Sequence, residues 1–258
     1  MVRRLAWSLL HVALALLTVR VGAAPPQWLP ARDISLGSRA GRVSDMDLCA
    51  RGSEVVVVWS DARLGDRRLF WRRSPDFGAT WEPEALVTSA APMSTQPTIT
   101  CDEDHLYLAW IRGDGAAAEL RFSRFDGVGW TTAVSVASDV PAASPDIAVT
   151  HAFPRAVGIA YERTGTTTQA VLAFSADDGD TWTNPEPVAR AAGVADASAR
   201  PAITGAGELF YLAWQDFREA TPHIYFTTRG PALVGSERRL SQVGGSGAPS
   251  LSARGRRV

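Results

Sequence analysis

The chain has 258 residues, of which 46% are hydrophobic and 21% charged; this balance excludes a wholly disordered polymer and allows one large domain or two ordinary ones. All 26 basic residues are arginine and 27 are acidic, a formal charge of −1, which argues against a nucleic-acid protein held by bulk electrostatics. Nine Trp, 22 Gly and 16 Pro point to short strands and many turns, not to a helix bundle.

At the N-terminus, Arg3 and Arg4 precede an apolar run over 5–17, and small residues follow at 21–24. This is the pattern of a cleavable signal peptide, residues 1–23, and it implies export to the periplasm or the medium. The apolar run is short for a bilayer span, so an uncleaved anchor is the weaker reading, and no membrane span is expected after signal removal. Residues 24–43 include WLPARDISLGS at 28–38, which reads as an orphan outer strand.

Four segments then repeat one order of signals: 55–63 (VVVVWSDAR), 106–114 (LYLAWIRGD), 157–165 (VGIAYERTG) and 210–218 (FYLAWQDFR). Their anchors Trp59, Trp110, Tyr161 and Trp214 lie 51, 51 and 53 residues apart. A short alternating strand precedes each, at 45–49, 97–101, 145–150 and 201–204. A third follows at 67–73, 119–123, 169–175 and 223–228, and a fourth at 83–88, 131–136, 186–189 and 238–241. Four strands per fifty residues predict an all-β chain of four-stranded antiparallel propeller blades, because one twisted sheet cannot bury both faces alone. The blades are 44–93, 94–143, 144–198 and 199–246, and 247–258 starts a fifth. Four full blades with loose ends read as an open arc, which a partner or further blades would close.

Two hairpins carry a full Ser-x-Asp-x-Gly-x-Thr-Trp motif: Ser74, Asp76, Gly78, Thr80 and Trp81, and again Ser175, Asp177, Gly179, Thr181 and Trp182. Carboxylate and hydroxyls can satisfy turn N–H groups, glycine permits the reversal, and tryptophan packs the turn on the sheet. These acids are therefore structural. Blade two has a degenerate copy over 123–130 with Asp126, and blade four has none.

These hairpins resemble the Asp-box, or BNR, repeats of the sialidase superfamily. The resemblance implies a six-bladed ring, of which four blades would be a fragment, and removal of terminal sialic acid from glycans. It also implies three substrate-gripping arginines, a tyrosine nucleophile with a glutamate base, and an aspartate acid/base. No Arg-Ile-Pro-like opening strand is found; Arg200-Pro201 is a partial echo. The last blade, where the tyrosine belongs, is missing.

The rim opposite the Asp-boxes offers Asp61, Arg63, Arg112, Asp146, Arg200, Asp216 and Arg218 as ligand-binding candidates for a sugar or other anion. The competing reading makes the Asp61/Arg63 and Asp216/Arg218 pairs structural ion pairs between blades. Cys49 and Cys101 close the first strands of adjacent blades, and count as matching positions open to a disulfide or to two buried thiols. The histidines show no metal-ligand spacing, and no cofactor is implied. The expected function is a non-catalytic module binding a glycan or a protein. The alternatives are an exo-α-sialidase-type glycoside hydrolase complete only in a longer product, and a structural repeat segment of a larger surface protein.

Overall fold

The computed structural model of the chain describes residues 31–35, 42–87, 90–138, 141–152, 155–189, 197–219, 221–230 and 233–253. The expected signal peptide and most of the orphan strand lie outside them; residues 31–35 carry no strand. Two compact units divide the chain, Met1–Asp33 and Ile34–Val258, and everything below belongs to the second.

Four antiparallel sheets follow one another along the chain. Blade 1 comprises β1 (Val43–Arg51), β2 (Glu54–Leu64), β3 (Asp66–Ser74) and β4 (Ala85–Leu86). Blade 2 comprises β5 (Ser94–Cys101), β6 (Leu106–Arg112), β7 (Glu119–Phe125) and β8 (Val134–Ala137). Blade 3 comprises β9 (Ala142–Val149), β10 (Val157–Thr164), β11 (Thr168–Ser175) and β12 (Glu186–Pro187). Blade 4 comprises β13 (Ser198–Ala206), β14 (Leu209–Asp216), β15 (His223–Arg229) and β16 (Arg238–Arg239). Each sheet is ordered as the chain runs, from inner to outer strand. The four-strand expectation is met blade by blade. The one helical element among the described residues is a 3-10 turn at Gly115–Ala117.

The first strands are the innermost: β1 packs on β5, β5 on β9, and β9 on β13. Each blade shows a leading face to its predecessor and a trailing face to its successor. The anchors occupy one register on the second strand of every blade. Trp59 pairs with Phe70, Trp110 with Arg121, Tyr161 with Val171 and Trp214 with Tyr225. All four point to the leading side. Trp110 packs with Val56 and Val58 of blade 1, Tyr161 with Tyr107 and Phe122 of blade 2, and Trp214 with Ala160 and Leu172 of blade 3. Three inter-blade cores result, and burying each large apolar side chain contributes about 2 kcal/mol. On the leading side of blade 1, Val57, Trp59 and Phe70 are covered by Ile34, Trp81 and Leu86.

The inner strands run longer than sequence reading predicts, because each begins with a bulge. Asp45, Gln96, Ser144 and Arg200 have φ of 44°, 49°, 48° and 50°, and the ladder to the second strand shifts register at each of them. Met46, Pro97, Pro145 and Pro201 follow. Proline is tolerated there because the axial edge of an innermost strand has no ladder partner to lose.

Candidate functional site

The bulges bring the inner strands to a cavity of about 590 Å³ on the axis, walled by Asp47, Ile99–Cys101, residues 144–149 and 200–205, and His151. Residues 248–253 close its remaining side. This segment (APSLSA) has the same proline-led pattern as the inner strands at 96–101 and 200–205. It lies where the sequence places the start of a fifth blade, though it makes no ladder pair.

Two carboxylates define the cavity wall. Asp47 Oδ2 accepts from Ile99 N at 2.8 Å and from the Thr98 hydroxyl at 3.0 Å, and Asp146 Oδ2 accepts from Ile203 N at 2.8 Å. Each therefore reaches from its own inner strand to the next blade and satisfies an edge N–H that no ladder uses. Thr98 also favours the charged form of Asp146. Burial pushes the Asp146 carboxyl up to about 6, and the Asp47 charge adds to this against the Ile203 hydrogen bond. At the upper end, the strained Arg200 backbone is pinned by its N–H donating to Glu162 Oε1 at 2.7 Å.

A second cavity of about 780 Å³ opens on the same rim between blades 1, 2 and 3. Its lining includes Met93, Ile111 and Ala118 and, among polar groups, Asp66, Arg67, Gln96 and Asp114. Ser144 N donates to Gln96 Oε1 at 2.6 Å, and this contact ties one wall of each cavity to the other.

Of the seven rim candidates, Asp146 and Arg200 line the axial cavity, and the other five line neither cavity. Asp61, Arg63 and Glu84 form one cluster, with Arg63 Nη2 2.6 Å from Asp61 and Nη1 2.5 Å from Glu84. Asp216, Arg218 and Glu237 form its counterpart at 2.6 and 2.8 Å. Arg63 lies 4.3 Å over the Phe70 ring and Arg218 4.3 Å over the Tyr225 ring. These ion pairs close within a blade, because their acids come from the second strand and the chain just before the fourth strand of one sheet. Arg112 pairs with Glu119 at 3.1 Å. Sequence reasoning omitted Asp47 from the site; its equivalence to Asp146, twelve and fifteen residues before their anchors, is the signal that could have found it.

The Asp-boxes close as the motif predicts. Asp76 accepts from Thr80 N and Oγ1, both at 2.7 Å, and from Ser74 Oγ at 3.0 Å. Asp177 repeats the set with Thr181 N, Thr181 Oγ1 and Ser175 Oγ. The Ser175 and Thr181 hydroxyls hold the Asp177 carboxyl down to about 2. Gly78 and Gly179 have positive φ, and so do Phe77 (57°) and Asp178 (56°) just before them, so two left-handed residues make each reversal. The box tryptophans reach forward. Trp182 stacks edge-on against Phe122 of blade 2 at 5.0 Å, and Trp130 of the degenerate box against Trp71 of blade 1 at 5.5 Å.

Cys49 and Cys101 are free thiols, and they do not occupy matching positions. Cys49 pairs with Val56 and Cys101 with Leu106, which places Cys49 level with Thr100 and Cys101 level with Ala50. An offset of one residue reverses the face. Cys49 points to blade 2 and Cys101 back to blade 1, both in one apolar cluster. Their mutual hydrogen bond and burial push the Cys49 thiol up.

No family model matches the chain, and no curated protein matches it. Solved structures do match. The sialidase of Trypanosoma rangeli, in complex with 2,3-difluorosialic acid, has 12% identity over 77% of this chain and 37% of that one, with a TM-score of 0.53. A thermostable family-43 glycoside hydrolase has 11% identity over 78% of this chain and 72% of that one, with a TM-score of 0.51. The chain thus spans 37% of the sialidase chain it matches. At these identities the likeness is one of fold: the chain is a β-propeller of the broad kind that includes the sialidase and family-43 folds.

Proposed function

We propose that the chain is an exported, non-catalytic propeller that binds a glycan in the axial cavity, between Arg200 and Asp146. The observation that carries this reading is the cavity itself, of about 590 Å³, which blades 1, 3 and 4 line with Asp47, Ser144, Asp146 and Arg200. A carboxylate accepts from sugar hydroxyls, and a guanidinium donates in pairs to a sugar acid. That the neighbours in fold are glycoside hydrolases supports a glycan over a protein ligand.

Two features favour binding without hydrolysis. Asp47 and Asp146 each commit Oδ2 to the backbone of the next blade, so the pair clamps neighbouring blades together whether or not a ligand is bound. None of the four tyrosines lines the axial cavity. Tyr225 Oη does donate to Glu219 Oε1 at 2.8 Å, the pairing a sialidase nucleophile has. It lies on the leading face of blade 4, away from the cavity, and burial and the Glu219 carboxylate push its phenol up, away from the nucleophilic form.

Calorimetric titration of the purified chain with sialylated and arabinose-containing oligosaccharides tests the reading, beside a fluorogenic sialoside assay. The expected outcome is saturable binding to one glycan class and no turnover. Arg200→Gly removes the guanidinium and relieves a left-handed backbone worth about 1 kcal/mol. This variant should weaken binding at least tenfold while the fold keeps or gains stability. Turnover abolished by Arg200→Gly would replace the reading with the enzyme, and failure to bind any glycan would end it.

A further inference from the structure

The three seams inside the chain follow a rule that its two end faces also obey. On the trailing side, the third strand offers one equivalent position per blade: Trp71, Phe122, Leu172 and Phe226, opposite Val58, Ala109, Ala160 and Ala213. Where the next blade carries a box tryptophan, that position is aromatic and receives it: Trp71 takes Trp130 and Phe122 takes Trp182. Where the next blade is blade 4, which has no box, the position is Leu172.

Blade 4 therefore presents a trailing face built for a box. Phe226 lies 6.2 Å from Tyr211, as Phe122 lies 6.5 Å from Tyr107, and Tyr211 and Tyr107 are themselves equivalent. Among the described residues no further sheet follows it, and residues 248–253 lie only along the cavity side of its inner strand. Blade 1 presents the complement, a leading face with a full box that no sheet precedes among the described residues. Leu48 is 52% exposed, whereas its equivalents Ile99, Ile147 and Ile203 are 4%, 5% and 4% exposed. Phe77, at the box tip, is 77% exposed, whereas its equivalent Asp178 meets Tyr107 of the preceding blade at 3.3 Å. A Cβ on Gly179 would run into the Phe122 ring, whereas one on Gly78 would meet nothing nearer than Trp81 at 3.9 Å. The box of blade 1 is open where that of blade 3 is filled.

We propose that the leading face of blade 1 docks, head to tail, on the trailing face of blade 4 of a second copy of this chain. Phe226 of one copy then seats on the Gly78–Trp81 hairpin of the other, as Phe122 seats on Gly179–Trp182 within the chain. Continuity with the internal seams argues for this occupant, since both halves of a blade 2–blade 3 type interface exist in one sequence and, among the described residues, only Ile34 reaches the blade 1 half from outside its sheet and box. The contact is heterologous, so it either closes a ring or extends an array.

Sedimentation of the purified full chain, from about 1 to about 100 μM, tests this together with two variants. Leu48→Asp/Phe77→Asp alters only exposed side chains of blade 1 and spares folding. Phe226→Ser alters blade 4, and its thermal melt is recorded beside that of the parent. The parent should pass from the mass of one chain to two or more as concentration rises. Each variant alone should need at least tenfold higher concentration to associate. An equimolar mixture of the two variants should recover a dimer, because each retains the face the other lacks. A parent that stays at one chain mass throughout overturns the proposal. So does association that survives Leu48→Asp/Phe77→Asp, a result that stands even if Phe226→Ser fails to fold. A mixture of folded variants that fails to recover a dimer also overturns it.

Discussion

Asp146 shows how much one side chain on the axis has to reconcile. It holds the N–H of Ile203 and is desolvated by burial beside Asp47, so its folded-state carboxyl titrates near 6, above the ordinary carboxylate value of about 4. The folded state thus binds the proton more tightly than the unfolded chain. Its contribution to stability is fully present below about pH 4 and is lost as pH rises through 6. Urea unfolding at pH 4, 5, 6 and 7 should show the parent losing up to about 2 kcal/mol more across that window than Asp146→Asn, in which the amide oxygen still accepts from Ile203. Parallel pH profiles would refute the assignment. Asp146 was visible in the sequence as a polar residue near the axis. Its nearness to Asp47 was not, because they come from blades 1 and 3 and only the packing of the inner strands brings the two charges together.

At the scale of the element, the Asp-box hairpin is nearly self-contained. Its carboxylate, hydroxyls and glycine all act within eight residues, so the motif alone predicts the turn and its hydrogen bonds. What differs between its two full copies is the neighbour. Gly78→Ala and Gly179→Ala each force a left-handed residue, at about 1 kcal/mol. Only Gly179→Ala also drives a methyl into Phe122, at about 1–3 kcal/mol more. Denaturant midpoints should therefore fall further for Gly179→Ala, and equal shifts would show that the blade 2–blade 3 seam does not close on this hairpin. The first strands are the counter-example. Their alternation was readable, but their true starts were hidden behind the bulges at Asp45, Gln96, Ser144 and Arg200, where a left-handed φ falls on residues that are not glycine.

Across the whole molecule, the facing thiols offer a covalent bond between blades 1 and 2. Incubation with glutathione disulfide should oxidise Cys49 and Cys101 to one disulfide, releasing two glutathione thiols and starting at the more accessible Cys101. Cleavage at arginine should then yield peptides 43–51 and 74–112 joined in one species. The bond closes a loop of about fifty residues, and the chain-entropy argument gives it up to about 4 kcal/mol, read as a higher melting temperature without reductant. Separate peptides, each still open to alkylation after oxidation, would show that the two strands do not approach as described.

Fifty-residue periodicity, strand number, anchor positions and turn chemistry are all legible in the linear chain, because each is set by residues a few positions apart and by the two-residue period of a strand. Which face meets which neighbour is not. Cys49 and Cys101 lie ten and nine residues before their anchors, a difference that looks trivial along the chain yet turns one thiol toward the other across a seam. The same holds for Phe122 beneath Trp182, for Asp47 beside Asp146, and for charged trios closing within blades instead of between them. Packing decided these, since a shift of one position exchanges the two sides of a strand, and only the assembled sheets specify which side is occupied.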